Sequence, residues 1–177
     1  MTYTYDKNGN LLTESIKPSN DPRTFLTTYT YDNNNRLLSL NREGDSSLYT
    51  YDARGNLILV TGHLADVGNF STTYIYDDQN NVLTMLAIDA WGYEHKEIYS
   101  YEYDRNNILV KSIKTTLDGS RIESTYDRKG NIAHEVSYVI GANTDVDDYI
   151  YDKHGNLLSK IHNGLVEFAQ TWIAIPH

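Results

Sequence analysis

Tyr3-Thr4-Tyr5-Asp6-Lys7-Asn8-Gly9-Asn10-Leu11-Leu12 is the stretch that decides the fold. The decapeptide recurs in seven copies, each marked by a Tyr-Asp dyad, with 20 to 27 residues from one dyad to the next. Such intervals are typical of repeat architectures. The chain therefore predicts a tandem-repeat fold. The dyads begin at Tyr5, Tyr31, Tyr51, Tyr76, Tyr103, Tyr126 and Tyr151.

Each copy predicts two β-strands joined by a tight turn. The dyad Asp can accept a hydrogen bond from the backbone N–H two residues further on. The third residue after this Asp is always Gly or Asn, the residues that enter the left-handed region at lowest cost. A left-handed residue there closes a three-residue hairpin loop with a bulge. We expect hairpins centred on the turns after Asp6, Asp32, Asp52, Asp77, Asp104, Asp127 and Asp152.

The predicted turn also predicts a register. Tyr5 should pair with Leu11, and Thr4 with Leu12, and paired side chains share one face of the sheet. One face should then collect the Tyr residues and form the core. The opposite face should carry an aliphatic row, which consists of Leu12, Leu38, Ile58, Leu83, Val110, Ala133 and Leu158.

The fold class that follows is all-β, with tandem antiparallel hairpins over residues 1–177 as one domain. After the seventh copy, residues 165–173 lack the dyad and predict an atypical terminal strand, as is common at the ends of repeat arrays. Seven hairpins and this strand exceed the roughly 10 strands at which open twisted sheets curl or split. We therefore expect a curled, spiralling sheet or a partial shell.

The motif Tyr-x-Tyr-Asp-x-x-Gly-Asn-Leu-Leu resembles the YD repeat of the rearrangement-hotspot (RHS) family, over about residues 1–162. That family includes bacterial polymorphic toxins, toxin-complex cocoon subunits, wall-associated proteins and the animal teneurins. The resemblance implies a non-catalytic bacterial structure that holds or presents another polypeptide, and an extracellular or cell-surface location. The chain is short and lacks the Asp-Pro-x-Gly type segment that precedes the C-terminal toxins of relatives. The resemblance therefore implies a short member or a fragment without a toxin domain.

Composition narrows the possible partners. The formal net charge of −9 and the pI near 5.0 disfavour nucleic acid and anionic membrane surfaces as partners. No run of 18 apolar residues exists, so we expect no membrane insertion, and no secretory signal is recognisable. The chain has no cysteine, which excludes disulfides and zinc thiolates. The absence of cysteine is compatible with both the cytoplasm and the cell surface.

No residue pattern indicates catalysis, a cofactor or a metal. The six histidines lack ligand-pair spacing, and no nucleophile elbow or phosphate-binding glycine loop is present. The dyad aspartates could bind calcium, but turn capping explains them without a metal. Asp145, Asp147 and Asp148 are a weaker candidate and fit a solvated acidic loop. We expect no enzyme, no cofactor and no metal site.

The best local candidates for a partner contact are Trp91, Tyr93 and His95, in the least regular spacer, with Trp172 near the C-terminus. Aromatic side chains on irregular loops often anchor interfaces. Trp91 could equally plug one end of a curled sheet. Three functions remain: a scaffold or protein-interaction module, a carbohydrate-binding surface module that uses exposed Tyr and Trp, and a self-associating structural protein.

Overall fold

The computed structural model describes residues 1–169, and these residues form fifteen antiparallel β-strands and no helix. The all-β fold of tandem hairpins is thereby confirmed. The curled or shell-like overall form stays a prediction. No helix in the described part of the chain is long and apolar enough to cross a membrane. The strands are β1 (Thr2–Tyr5), β2 (Leu11–Ile16), β3 (Phe25–Tyr31), β4 (Leu37–Arg42), β5 (Asp45–Tyr51), β6 (Leu57–Leu64), β7 (Gly68–Tyr76), β8 (Val82–Ile88), β9 (Glu94–Tyr103), β10 (Leu109–Thr116), β11 (Arg121–Tyr126), β12 (Ile132–Tyr138), β13 (Asp145–Tyr151), β14 (Leu157–His162) and β15 (Leu165–Ala169).

The chain divides into two compact units, Met1–Lys96 and Glu97–His177. In the first unit, strands β1 to β8 pair in sequence order, each antiparallel to the next. In the second, strands β9 to β15 follow the same rule. The expectation of a single domain over residues 1–177 stays a prediction. The terminal strand begins at Leu165 as expected, and its predicted end at residue 173 lies outside the described residues.

The seven dyad turns share the predicted geometry. In the first, the Asp6 N–H donates to the Asn10 carbonyl at 2.9 Å, and the Gly9 N–H donates to the Asp6 carbonyl at 3.1 Å. Gly9 has a φ of 87°, and Asn35, its equivalent in the second copy, has a φ of 61°. The third residue after the dyad Asp is therefore left-handed, which is the reason that only Gly and Asn occur there.

The predicted register is correct for one pair and wrong for the next. Tyr5 pairs with Leu11, but Thr4 pairs with Thr13 and not with Leu12. In all seven hairpins the register shifts by one residue between the dyad Tyr and the residue that precedes it in the chain. The aliphatic row expected to pair across the opposite face, from Leu12 to Leu158, therefore consists of bulge residues. Such a bulge residue is an extra residue in one strand, without a partner in the other, and it increases the local twist of the hairpin.

Neither unit has a conventional core. No hydrophobic side chain among the described residues is buried, and the most buried residues are Thr27 and Ser124. The face that carries the dyad Tyr residues, called the Tyr face below, is the less exposed one in the inner strands. In β5, for example, Tyr49 and Tyr51 are half-buried, whereas Thr50 between them is exposed. Each unit is thus a single-layer sheet whose apolar side chains cover one another only in part.

Gly62 explains how one large ring is accommodated on this layer. Gly62 pairs directly with Phe70 across β6 and β7. A Cβ at position 62 would lie 2.3 Å from the Phe70 Cζ and 2.5 Å from the Ser46 carbonyl oxygen. The missing side chain lets the Phe70 ring lie over the backbone of its neighbour, where it covers main-chain atoms that would otherwise face water.

We predict that Gly130→Val destabilises the sixth hairpin, whereas Gly130→Asn is tolerated. Gly130 has a φ of 85° and nothing lies within 4 Å of a Cβ built there, so the cost is conformational and not steric crowding. The Val variant should lose about 1–3 kcal/mol of unfolding free energy. The Asn variant should lose less, because Asn35, Asn80 and Asn107 already occupy this turn position. Urea unfolding followed by circular dichroism measures both, and equal midpoints would contradict the turn assignment.

Candidate interaction surfaces

The dyad aspartates are engaged in their own turns. Asp6 Oδ1 accepts from the Asn8 N–H at 2.8 Å and from the Asn10 N–H at 2.9 Å, and Asn10 Nδ2 donates to Asp6 Oδ2 at 2.8 Å. The predicted bond to the residue two positions on is present in every copy, together with a bond to the residue four positions on. A carboxylate that accepts several N–H bonds is stabilised in its charged form.

These bonds explain the acidity of the aspartates. The amide of Asn131 and then its backbone N–H lower the pKa of Asp127, and Asn156 acts in the same way on the pKa of Asp152. The pKa of every dyad aspartate lies below its ordinary value. The carboxylates are therefore ionised turn caps at neutral pH. Among residues 1–169, no three metal-ligating side chains cluster in a way that could hold an ion.

Neighbouring turns contact each other along the edge of the first unit. Asn8 Nδ2 and Asn10 Nδ2 both donate to Asn35 Oδ1, at 3.0 and 2.8 Å. Further along, Asn56 Nδ2 donates to Asn80 Oδ1 at 2.9 Å. Asn side chains in the dyad turns thus also form hydrogen bonds to the neighbouring dyad turn.

The Tyr residues link repeats through their hydroxyl groups as well as through their rings. The Tyr51 hydroxyl donates to the Leu37 carbonyl at 3.0 Å, and the Tyr76 hydroxyl donates to the Leu57 carbonyl at 2.8 Å. In each case the acceptor is the residue that follows the turn of the preceding copy. These bonds to the backbone hold the Tyr51 and Tyr76 side chains against the sheet.

The spacer that holds Trp91 is a regular turn, so the expectation of an irregular loop is wrong. The Asp89 N–H donates to the Tyr93 carbonyl at 3.0 Å, and the Gly92 N–H donates to the Asp89 carbonyl at 3.0 Å. Asp89 Oδ1 also accepts from the N–H groups of Trp91 and Tyr93. This is the geometry of the dyad turns. The sequence signal was an Asp followed three residues later by Gly, without the preceding Tyr.

This turn places the predicted contact residues in solvent. Trp91 is 73% exposed and Tyr93 is 69% exposed, and His95 is exposed at the start of β9. Most of the Trp91 side chain thus lies in solvent. The turn lies beside the β6–β7 turn, because a Cβ at Gly68 would be 3.4 Å from the Ala90 carbonyl oxygen. Trp172, the fourth predicted contact residue, lies outside the described residues.

The acidic segment expected as a loop is part of a strand. Asp145, Asp147 and Asp148 lie in β13, where Asp147 accepts from His162 Nδ1 at 2.8 Å and Asp148 pairs with His134 Nδ1 at 2.7 Å. Partial burial raises the pKa of Asp147, but the bonds from His162 and Lys160 outweigh it, so this pKa lies below its ordinary value. Adjacent strands supply these His and Lys partners, and spacing along the chain gave no sign of them.

Comparisons with known proteins assign no family. No family model matches the chain, and no curated protein does. Among solved structures, the chain is similar to a crystal structure of TcdB2-TccC3, with 13% identity and a TM-score of 0.45, over 90% of this chain and 12% of that chain. It is similar to TcdB2-TccC3 without the hypervariable C-terminal region, with 14% identity and a TM-score of 0.44, over 93% of this chain and 11% of that one.

A porin-like protein from Bacteroides uniformis is also similar, with 14% identity and a TM-score of 0.34, over 88% of this chain and 90% of that chain. The chain thus spans no more than 12% of the length of the TcdB2-TccC3 chains that it matches. At this level of similarity neither a family nor a function follows for this chain.

The turn caps predict acid sensitivity with a defined sign. Because the pKa of each dyad aspartate is depressed in the folded chain, the stability that the caps contribute is present above about pH 4, the ordinary Asp value, and is lost as the pH falls through the folded value. We expect the urea midpoint to fall steadily below pH 4. Asp127→Asn should flatten this dependence, and Asp66→Asn controls for the loss of one charge outside the dyads. Identical pH profiles for Asp127→Asn and wild type would contradict the assignment.

Proposed function

We propose that this chain is a non-catalytic YD-repeat scaffold, and that it holds a polypeptide partner against the Tyr face. The carrying observation is that no apolar side chain of this face is fully buried among the described residues. In the first unit the aliphatic side chains that register places beside the Tyr residues are Leu11, Leu37, Leu40, Leu57, Val60, Val82 and Met85.

The energetics favour a partner on this face. Apolar surface removed from water contributes about 25 cal/mol per Å². Monomeric proteins rarely expose contiguous apolar patches beyond a few hundred Å², and larger ones usually mark an interaction site. A single layer of eight strands has no second layer of its own in the first unit, so a bound polypeptide would supply the missing cover. Extended segments with apolar side chains would fit best.

The roles of the dyad residues support a structural rather than a catalytic function. The dyad aspartates are ionised caps with similar surroundings, whereas acid–base catalysis needs paired groups whose environments differ. The sequence resemblance to the RHS family points in the same direction. It also supports a bacterial, toxin-related origin and an extracellular or cell-surface location, as parts of this proposal.

Binding of an unfolded polypeptide tests the proposal. The probe is fluorescently labelled, reduced and carboxymethylated α-lactalbumin, titrated with the full chain by anisotropy. Met85→Lys places a charge on the Tyr face, opposite Tyr74, and should weaken binding about tenfold or more. Thr84→Lys, the adjacent residue on the other face, should bind as wild type does.

Equal weakening by both substitutions, or saturable binding that neither changes, would contradict a Tyr-face scaffold. Both positions are partly exposed, so both variants should fold, and circular dichroism checks this. A wild-type chain that shows no change in anisotropy even at a large molar excess over the labelled probe would also count against the proposal.

Carbohydrate binding is the second candidate, and one observation favours it. Trp91 and Tyr93 are largely exposed on a turn whose backbone is held by Asp89, so the two rings are presented on a rigid support. Aromatic faces of this kind stack on sugar rings. A glycan array followed by calorimetry should then find a ligand whose affinity Trp91→Ala abolishes. Tyr3→Ala, an exposed ring on another part of the first unit, is the control and should leave that affinity unchanged.

A further inference from the structure

In strands β1 to β8, the face opposite to the Tyr face has no charged residue at its paired positions, and we call it the open face. Register places 22 strand positions of β1 to β8 on it, with no Asp, Glu, Lys or Arg among them. Charged residues make up 22% of the chain, so several would be expected by chance. The positions are Thr2, Thr4, Thr13, Ser15, Leu26, Thr28, Thr30, Ser39, Asn41, Ser46, Leu48, Thr50, Leu59, Thr61, His63, Asn69, Ser71, Thr73, Ile75, Thr84, Leu86 and Ile88.

The hydroxyl groups on the open face run in rows across the strands. One row passes through Thr4, Thr13, Thr28, Asn41, Ser46, His63 and Asn69, each paired with the next. Members of the rows satisfy one another: Thr4 Oγ1 lies 2.7 Å from Thr13 Oγ1, and Thr30 Oγ1 lies 2.7 Å from Ser39 Oγ. A face whose polar groups are paired internally loses less when water leaves it.

Large aliphatic side chains stand out from these rows. Leu48 is 56% exposed and Ile75 is 60% exposed, and Leu26, near the start of β3, is also exposed. Each lies beside small side chains: Leu48 pairs with Ser39 and Thr61, and Ile75 pairs with Thr84. The face therefore presents protruding apolar groups separated by shallow polar rows, a surface into which a second, similar face could interdigitate.

The corresponding face of the second unit is built differently. It carries Lys111, Arg121 and Glu123, and Glu123 accepts from both basic groups at 2.7 Å. On the same face His134 Nδ1 lies 2.7 Å from Asp148 Oδ1. Paired charges of this kind keep a surface hydrated. The lack of charged residues on this face is thus specific to the first unit and is not a general property of the repeat.

We propose that the open face binds the open face of a second copy of this chain, as two sheets packed face to face. Charge argues for this occupant: two copies of net charge −9 repel each other, and the open face is where they can approach without juxtaposed charges. Area argues for it too. Eight strands about 4.8 Å apart, with some six residues at about 3.3 Å each, give on the order of 700 Å², close to the roughly 800 Å² per partner of a stable interface.

Sheet packing sets the geometry of such a pair. Two twisted sheets stack about 10 Å apart with their strands rotated by about 30°. A two-fold axis makes the interface isologous, so that one patch serves both copies. Leu48 and Ile75 of one copy would enter the polar rows of the other. The Tyr face points away from this contact and stays available, so the inference is independent of the proposed function.

Matched substitutions on the full chain test the inference. Ile75 and Ile150 occupy the same repeat position, directly before the dyad Tyr, and both are largely exposed, at 60% and 50%. Sedimentation equilibrium from 1 to 200 µM should show a wild-type dimer. Ile75→Glu should weaken dimerisation about tenfold or more, since burying an unpaired carboxylate is costly. Ile150→Glu in the second unit should dimerise as wild type does.

Leu48→Glu provides the second variant and should act like Ile75→Glu; circular dichroism spectra must match wild type for all three. A wild-type chain that is monomeric over the whole range would overturn the inference. So would a dimer that survives both Ile75→Glu and Leu48→Glu, because association would then use another surface such as the open sheet edges. Equal weakening by Ile150→Glu would point to a general charge effect and would also overturn it.

Discussion

The seven dyad hairpins depend on one interaction, the capture of two backbone N–H groups by a dyad aspartate. The carboxylate of Asp6 accepts from residues 8 and 10, and the left-handed Gly9 turns the chain between them. Without the aspartate, these N–H groups would have no acceptor in the turn and would bind water instead. Because the turn defines which residues lie opposite one another at the loop, it sets the pairing of Tyr5 with Leu11, beyond which the bulge shifts the register.

The bulge and the turn together produce a sheet that has two usable faces and no core. Since no apolar side chain among the described residues is buried, cohesion comes from backbone ladders, half-covered rings and links between repeats. The Tyr76 hydroxyl on the Leu57 carbonyl and the Asn56 amide on Asn80 are such links. Drift is tolerated where a substitute can be satisfied: Ser124 replaces a Tyr, and its hydroxyl donates to Glu135 at 2.8 Å.

Sequence reasoning succeeded where chemistry is local and failed where it depends on a neighbour. The turn at Asp6 could be predicted because all its bonds join residues within five positions. The pairing of Thr4 with Thr13 could not, because Leu12 is placed in a bulge by the twist of the whole hairpin. The turn at Asp89 has the spacing of the dyad turns but no preceding Tyr, so the dyad motif does not predict it. Trp91, Tyr93 and His95 are accessible, and their role as partner contacts stays a prediction.

By itself the sequence determined the strands, the turns and the left-handed positions, because these follow from residue types a few positions apart. Only the tertiary structure decided what lies side by side between repeats. It placed Asp147 beside His162, it spread the uncharged positions of β1 to β8 over one face, and it left the Tyr face of the first unit without a second layer from that unit. Such relations depend on strand register across variable spacers, and register is an outcome of packing over the whole sheet that no single repeat encodes.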